Sequence, residues 1–415
     1  MHQVDVIVLG AGIVGVSTAV HLRQRGLSVA LIDRRHPGEE ASHGNAGLIG
    51  RNGFCPISLP KRGADLLDIA LKQSTAIHCD YGALLRAVPW LRRYLRGNGH
   101  QAIQRYARVM DRFRELAVKE HYHLAAKANA DRFYRKSGWL QVYRSEASYR
   151  ADERERHYAR IFGIDYRELS GGDLNTVEPG LKAENLTGVF WPESESVSNP
   201  AAVVEAFWRY FIQEDGLFLN GDAFALEQRR LGWRISTARK SVAGRQVVVA
   251  LGSWTAAFAE RFREYYPMVI TRGYNGHFRP RSGGSLSRPV MDVDHGYMLA
   301  PMEGGIRLTT GFEIADRDSP ANPIQLDRAK ARAAAIFPLG SPVPGEPWMG
   351  TRGHLPDSLP VVGASPSRPG LWYNFGHGPH GFALGPLTAR ILADLIVDRD
   401  PGVDMAAISP LRYLA

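Results

Sequence analysis

The chain opens on a run of apolar positions, Val4, Val6, Ile7, Val8 and Leu9, too continuous for a strand with one wet face. Such a run predicts a parallel strand covered on both sides. The period then changes, with Val16, Ala19, Val20 and Leu22 recurring at helical spacing. Ser28–Ile32 returns to a short apolar strand, so residues 4–33 read as one βαβ unit. The same texture recurs at RQVVVALGSWTAAF (245–258), where Val247–Leu251 forms a buried strand. It recurs again at Leu371–Phe375, followed by Leu387, Ile391, Leu392, Leu395 and Ile396 on a helix. Residues 82–128 are helical in pattern, with Leu84, Leu85, Val88, Leu91 and Leu95 on one side, accompanied by Arg86, Arg92, Arg93 and Arg96. No apolar run approaches the roughly 18 residues of a membrane span. The first strand begins without a charged leader, so neither a signal peptide nor a transmembrane helix is expected.

The joints between these elements carry the chemistry. Gly10-Ala11-Gly12-Ile13-Val14-Gly15 falls between the first strand and its helix. Gly10 suits a tight turn, Gly12 lets backbone approach a pyrophosphate, and Gly15 lets helix and strand pack closely. The helix N-terminus adds amides and a favourable dipole for phosphate. Asp33, ending the second strand, is placed to accept from a ribose hydroxyl. Arg34 and Arg35 raise the alternative of reading a 2′-phosphate, although Asp33 holds the ribose position. Three further small-residue joints follow: ASHGNAGLIG (41–50), Ala250-Leu251-Gly252 with Trp254, and GHGPHG (376–381). His377 and His380 have a metal-ligand spacing, but no motif assembles a third and fourth ligand. No metal is expected.

Composition narrows the class. The 415 residues suggest two to three domains, and 44% hydrophobic with 22% charged content is ordinary for a globular chain. Only Cys55 and Cys79 are present, which excludes a disulfide framework and predicts a reducing, cytoplasmic compartment. The net charge of +9 has no accompanying nucleic-acid motif, so no nucleic acid is expected.

The ordered set GAGIVG, HGNAG (43–47), RGYNGHF (272–278), HGYMLAP (295–301), WMGTRGHLPDSLPVVG (348–363) and GHGPHG resembles the FAD-dependent amino-acid oxidase superfamily of glycine, sarcosine and D-amino acid oxidases. It is most similar to the bacterial D-amino acid dehydrogenase branch. The resemblance runs in order over essentially the whole chain. It implies an α/β, Rossmann-like FAD-binding domain, discontinuous over 1–50, 198–256 and 347–400. A second, α+β substrate domain over 51–197 and 257–346 would roof the flavin with a mixed or antiparallel sheet. The cofactor implied is FAD, held by Gly10, Gly12, Ile13, Val14, Gly15, Asp33 and Arg34 at one end. Around the flavin the resemblance implies His43, Gly44, Asn45, Ala46, Gly47 and Leu48, then Ala250, Gly252 and Trp254, then Arg352, Gly376, His377, Gly378, His380 and Gly381. Relatives that tether the flavin use a His placed three residues before a glycine, or a Cys. Here His43 precedes Gly47 by four and Gly350 stands at the Cys position, so FAD is expected to be non-covalent.

The resemblance further implies hydride transfer from a D-amino acid Cα to flavin N5, with D-proline or hydroxy-D-proline among the candidate substrates. Arg352 is expected to clamp the substrate carboxylate, a planar two-point task suited to a guanidinium. Tyr274 and Tyr297 are expected to border the same pocket, and Arg272 is left without a role. The alternatives are oxidation of glycine, sarcosine or another N-substituted amino acid, or an FAD-binding subunit of a larger dehydrogenase. Electrons would pass to oxygen or a quinone chain. The basic helical stretch at 82–128 suggests either peripheral contact with the inner face of a membrane or an ordinary helix with solvated arginines.

Overall fold

The computed structural model describes residues 2–56, 63–238, 240–281 and 284–414. The opening unit forms as the pattern predicts: strand His2–Leu9, helix Ile13–Gln24, strand Val29–Asp33. His2–Leu9 lies parallel between Val29–Asp33 and Ser241–Val249, with Leu9 level with Ile32 and Val249. Leu217–Asn220 continues the parallel run beyond Val29–Asp33, and Leu371–Phe375 continues it beside the end of Ser241–Val249. The hairpin strands Leu226–Arg229 and Gly232–Ser236, with Val361–Ala364, complete eight strands. This sheet is thus drawn from three separated stretches of chain.

The continuous apolar runs have a packing reason. Val6 and Val8 face a cluster with helix residues Val16, Phe207 and Leu387, while Ile7 and Leu9 face another with Trp233 and Phe258. Both faces are dry, so neither tolerates polar alternation. Helix Ile13–Gln24 lies against helices Gly381–Ile396 and Pro200–Gln213 and is buried nearly all round. The 28-residue helix His100–Lys127 closes this layer against Gly381–Ile396.

The second sheet has eleven strands, with Val269–Pro280 at its centre. Gly305–Thr309 and Trp348–His354 flank it antiparallel, so the sheet is mixed but dominated by antiparallel pairs. The expected boundary at 347 groups Trp348–His354 with the cofactor segments. The strand instead pairs over seven residues with Val269–Asn275, placing Arg352 opposite Thr271. An open edge of that length is the nearest partner for its backbone groups. A small third sheet is formed by Leu48–Ile49, Glu195–Val197 and Tyr134–Arg135.

One interaction fixes the helix that starts below GHGPHG. Pro386 lies inside helix Gly381–Ile396 and has no N–H for the carbonyl of Phe382, four residues back. His121, from helix His100–Lys127, supplies the missing donor: its Nε2 lies 3.0 Å from the Phe382 carbonyl and 3.1 Å from that of Ala383. Nε2 therefore carries the proton, and Nδ1 accepts from the Tyr134 hydroxyl at 2.9 Å. Complete burial pushes this imidazole down to about 4 from its ordinary 6.5. The unfolded chain binds a proton there that the folded chain refuses. The resulting stability is present above about pH 6.5 and is lost as pH falls toward 4, a span of about 3 kcal/mol. His121→Leu should lower unfolding stability near pH 7 by about 1–3 kcal/mol and show a shallower acid-side decline in urea titrations. Equal slopes for variant and wild type would remove His121 from this role.

Candidate active site

The parallel strands end together, and a cavity opens off their C-terminal edge, as expected for an open α/β sheet. It is a cavity of about 180 Å3, partly open to solvent. One end is lined by Ile32–Arg34 and Gly221–Phe224, the middle by Gly10, Gly12–Val14 and Ala250–Trp254, the other end by Thr351–Gly353 and Asn374–Pro379.

Glycine is required at the crossing of the strands. Gly10 has φ +100°, and a Cβ there would lie 2.4 Å from the Ala250 carbonyl oxygen. A Cβ on Gly15 would lie 1.8 Å from the Gly10 carbonyl oxygen. Gly12 differs, because a Cβ there meets only the Ser42 hydroxyl, at 3.4 Å. Gly10 and Gly15 hold main chains together, and Gly12 keeps space clear in the cavity. Ser42 accepts from the Ile13 amide at 3.0 Å; the N-cap residue Gly12 adds no side chain, and helix Ile13–Gln24 has no acid in its first turn. The helix starting at Gly381 has no side-chain cap from His380 and no acid in its first turn. Two helix N-termini, each favourable to negative charge, thus face one cavity.

Asp33 lines the cavity while its carboxylate accepts from the Ala11 amide at 2.6 Å and the Arg35 amide at 2.9 Å. Arg34 lines it too, ion-paired to Glu40 and set 4.6 Å over the Trp254 ring. Asn45, Ala250, Gly252, Gly376, His377, Gly378 and Gly381 are also in the lining.

Several expected residues lie elsewhere. Gly44, Ala46 and Gly47 form the adjoining loop and Leu48 starts the strand after it, outside the lining, and the His43 ring is exposed beside Trp348 at 6.0 Å. Buried Arg307 holds that loop from behind, donating to the carbonyls of His43 at 3.1 Å and Asn45 at 2.5 Å. His380 faces a small recess shared with His354, Ser358 and His377. His377 Nε2 meets the Thr388 hydroxyl at 2.9 Å, and Thr388 in turn donates to the Gly385 carbonyl, so His377 is the donor. Burial carries His377 and His354 down to about 3, hence neutral. Among the described residues, no group of three or more His, Cys, Asp or Glu is arranged to hold a metal.

The two tyrosines do not reach the cavity lining. Tyr274 donates to Glu313 at 2.6 Å and accepts from the Asn322 amide at 2.9 Å. Glu313 also pairs with Arg272 at 2.7 Å, so Arg272 and Tyr274 form one buried structural network. Tyr297 lies beside Asp292 and Arg144, whose guanidinium is 3.2 Å from its hydroxyl. Glu313, the partner of Tyr274, lies 39 residues on, which local patterning does not reveal, whereas Asp292 stands opposite Tyr297 across a hairpin. Ser42, Phe224, Ser253, Thr351 and Asn374 line the cavity without having been singled out. The small-residue stretches around Ser42 and Ser253 were the available signal.

Arg352 stands apart. Its guanidinium lies against Gly273, 3.5 Å from the Gly311 carbonyl and 5.8 Å from the Phe312 ring centre. No carboxylate pairs with it among the described residues. Burial alone draws it down to about 10.

A glycine-floored cavity at the strand ends, faced by two helix N-termini free of acids, is that of a dinucleotide-binding protein. The chain belongs to the DAO family of FAD-dependent oxidoreductases, which matches residues 5–395. It is 28% identical over 438 residues to the D-amino acid dehydrogenase of Sinorhizobium medicae, covering 98% of this chain and 99% of that protein. It is 25% identical over 417 residues to the D-amino-acid oxidase of Bradyrhizobium diazoefficiens, covering 99% of both. The glycine oxidase of Geobacillus kaustophilus superposes over 100% of both chains with TM-score 0.77 at 21% identity, a likeness of fold. The cofactor is FAD.

Gly12 and Gly15 give separable outcomes. Gly12→Val should fold normally and purify without FAD, because its side chain fills the cavity and displaces no main chain. Gly15→Ala should be destabilised by about 1–3 kcal/mol or more, as overpacking at main-chain contact requires. Circular dichroism melting and the flavin absorbance of the purified variants check both. An undiminished flavin spectrum in Gly12→Val would contradict the assignment.

Proposed function

We propose that this protein oxidises an amino acid, of D configuration, by removing a hydride from Cα, with cyclic substrates such as D-proline or hydroxy-D-proline within its range. FAD, when bound, supplies the two-electron acceptor. The amides around Gly12 and the first helix N-terminus would hold its pyrophosphate, and Asp33 its ribose. Backbone at Gly376–Gly381 and the second helix N-terminus would meet the flavin end, where negative charge gathers on reduction. The three cofactor stretches would then form one discontinuous domain under the second sheet.

The observation carrying this reading is Arg352, a largely buried cation at the flavin end of the cavity with no carboxylate of its own. A buried unpaired charge is costly unless an anion arrives. A substrate carboxylate meets a guanidinium at two points and so orients Cα as well as binding it. The names of the relatives support D-amino acids. Glycine, sarcosine and other N-substituted amino acids carry the same carboxylate and are the competing substrates. The electron acceptor would be oxygen or a quinone.

A second surface supports contact with an anionic membrane. Among the described residues no helix is long and apolar enough to cross a bilayer. Residues 81–97 nevertheless contain four arginines and no acid, and expose Leu85 at 73% and Leu95 at 63%. Cosedimentation with phosphatidylglycerol vesicles, but not with phosphatidylcholine ones, is expected, and Leu85→Ser with Leu95→Ser should abolish it.

Anaerobic bleaching of the flavin across D- and L-amino acids, glycine and sarcosine tests the function. Bleaching by D-amino acids first is expected, and bleaching by sarcosine or glycine alone would overturn the assignment. Arg352→Lys keeps a charge but loses the planar two-point contact. It should weaken substrate affinity roughly 10- to 150-fold, the equivalent of about 1.5–3 kcal/mol. FAD content should stay near wild type, and amino-acid amides should be affected far less. A variant that loses FAD yet binds substrate normally would make Arg352 structural.

A further inference from the structure

Arg114 lies on helix His100–Lys127 and is 4% exposed. One Nη donates to the Gly50 carbonyl at 3.3 Å and the other faces His380 Nδ1 at 3.1 Å. Its Nε has no partner, and the buried Tyr106 hydroxyl is also unpartnered. Glu155 is the acid whose charge Arg114 feels, but its carboxylate accepts from the amides of Gly53, Phe54 and Cys55. No ion pair to Arg114 is made among the described residues. A Cβ on Gly53 would lie 2.5 Å from the guanidinium, so this loop packs directly on the charge.

An arginine has only donors, so His380 Nδ1 must offer its lone pair and the ring proton must sit on Nε2. Arg114 thus fixes one neutral tautomer of His380 and ties the 50–53 loop to GHGPHG. An isolated buried cation normally costs several kcal/mol and calls for an explanation.

We propose that Arg114 is a positioning residue of the redox site, holding His380 as its neutral Nε2–H tautomer and placing a fixed positive charge behind the Gly376–Gly381 loop that raises the reduction potential of the bound flavin. The proposal rests on reading this loop as the flavin end of the cavity. Gly12→Val tests FAD placement independently through cofactor content, so failure of that reading is distinguishable. The unpaired cation is balanced when two-electron reduction brings negative charge to that end. A unit charge about 10 Å away at an effective dielectric near 20 shifts such an equilibrium roughly tenfold.

The test is the midpoint potential of FAD-loaded enzyme, equilibrated anaerobically with reference dyes. Arg114→Gln should shift the equilibrium toward the oxidised form about tenfold, or ~30 mV for a two-electron couple. An Arg114→Gln potential within about threefold of wild type overturns the proposal. Arg114→Lys should match wild type near pH 7 and fall toward the Gln value as pH rises, because a buried ammonium loses its proton and a guanidinium does not. If the Gln variant does not accumulate with FAD, the Lys variant decides alone: a potential that tracks wild type up to about pH 10 overturns the proposal.

Discussion

The contact on which the rest depends is a backbone crossing. Gly10 turns the chain out of His2–Leu9 so close to the Ala250 carbonyl that no Cβ fits between them. Gly15 brings the first helix turn down on the Gly10 carbonyl from the other side. Three main chains are thereby held within contact of one another. The distance between His2–Leu9 and Ser241–Val249 is fixed by their ladder, but the positions of the loops that follow are fixed by this crossing. Ala250–Trp254 forms one wall of the cavity, and Ser253 bonds to Thr351 at 2.8 Å. That bond connects the crossing to Trp348–His354, and so to Arg352. Displacing residue 10 would move the cofactor floor and the substrate side together.

Around this crossing the buried arginines divide by partner. Arg272 pairs with Glu313 and Arg412 with Asp357, so their charges are balanced within the fold. Arg114, Arg307 and Arg352 have no such carboxylate among the described residues. Each lies beside a stretch that borders the cavity or forms part of it. Arg307 satisfies carbonyls of the 43–45 loop, which sterically resembles a tether: it sets where the loop lies without entering the cavity. Arg114 stands behind the glycine loop, and Arg352 at its mouth. Cations balanced internally hold the fold, and those left unbalanced lie beside the cavity and the loops that border it.

This division explains what the sequence revealed and what it concealed. GAGIVG was legible because its strand, glycines, helix and acid are contiguous, and each has a local steric reason. Arg352 drew notice because it lies within an ordered set of segments, and it is found in the cavity lining. Tyr274 looked equally well placed, yet Glu313 takes its hydroxyl, and a contact 39 residues away leaves no periodic trace. Arg114 was invisible for the same reason, since its partner His380 is 266 residues distant. The boundary at 347 followed cofactor motifs, while the pairing of Trp348–His354 with Val269–Asn275 follows an open strand edge. The Pro386 carbonyl problem was written in the sequence, but its solution by His121 was not.

The histidines bear on mechanism through where their protons are held. His121 donates through Nε2 to a carbonyl left without its helical donor, His377 donates to a hydroxyl whose proton is already committed, and His380 accepts from a guanidinium that cannot accept in return. His277 is likewise forced to accept at Nε2, because Arg307 Nε donates to it at 3.1 Å. Each is depressed by burial, so each stays neutral well below pH 7. The acids of the lining are engaged too: Asp33 accepts two amides, Glu40 pairs with arginine, and Asp222 accepts the Phe224 amide. Among the described residues, the lining near Arg352 therefore places no strong base where a Cα proton would be removed. A cavity of this kind suits a reaction in which the substrate's own neutral amine drives hydride loss, with the protein supplying orientation and fixed positive charge.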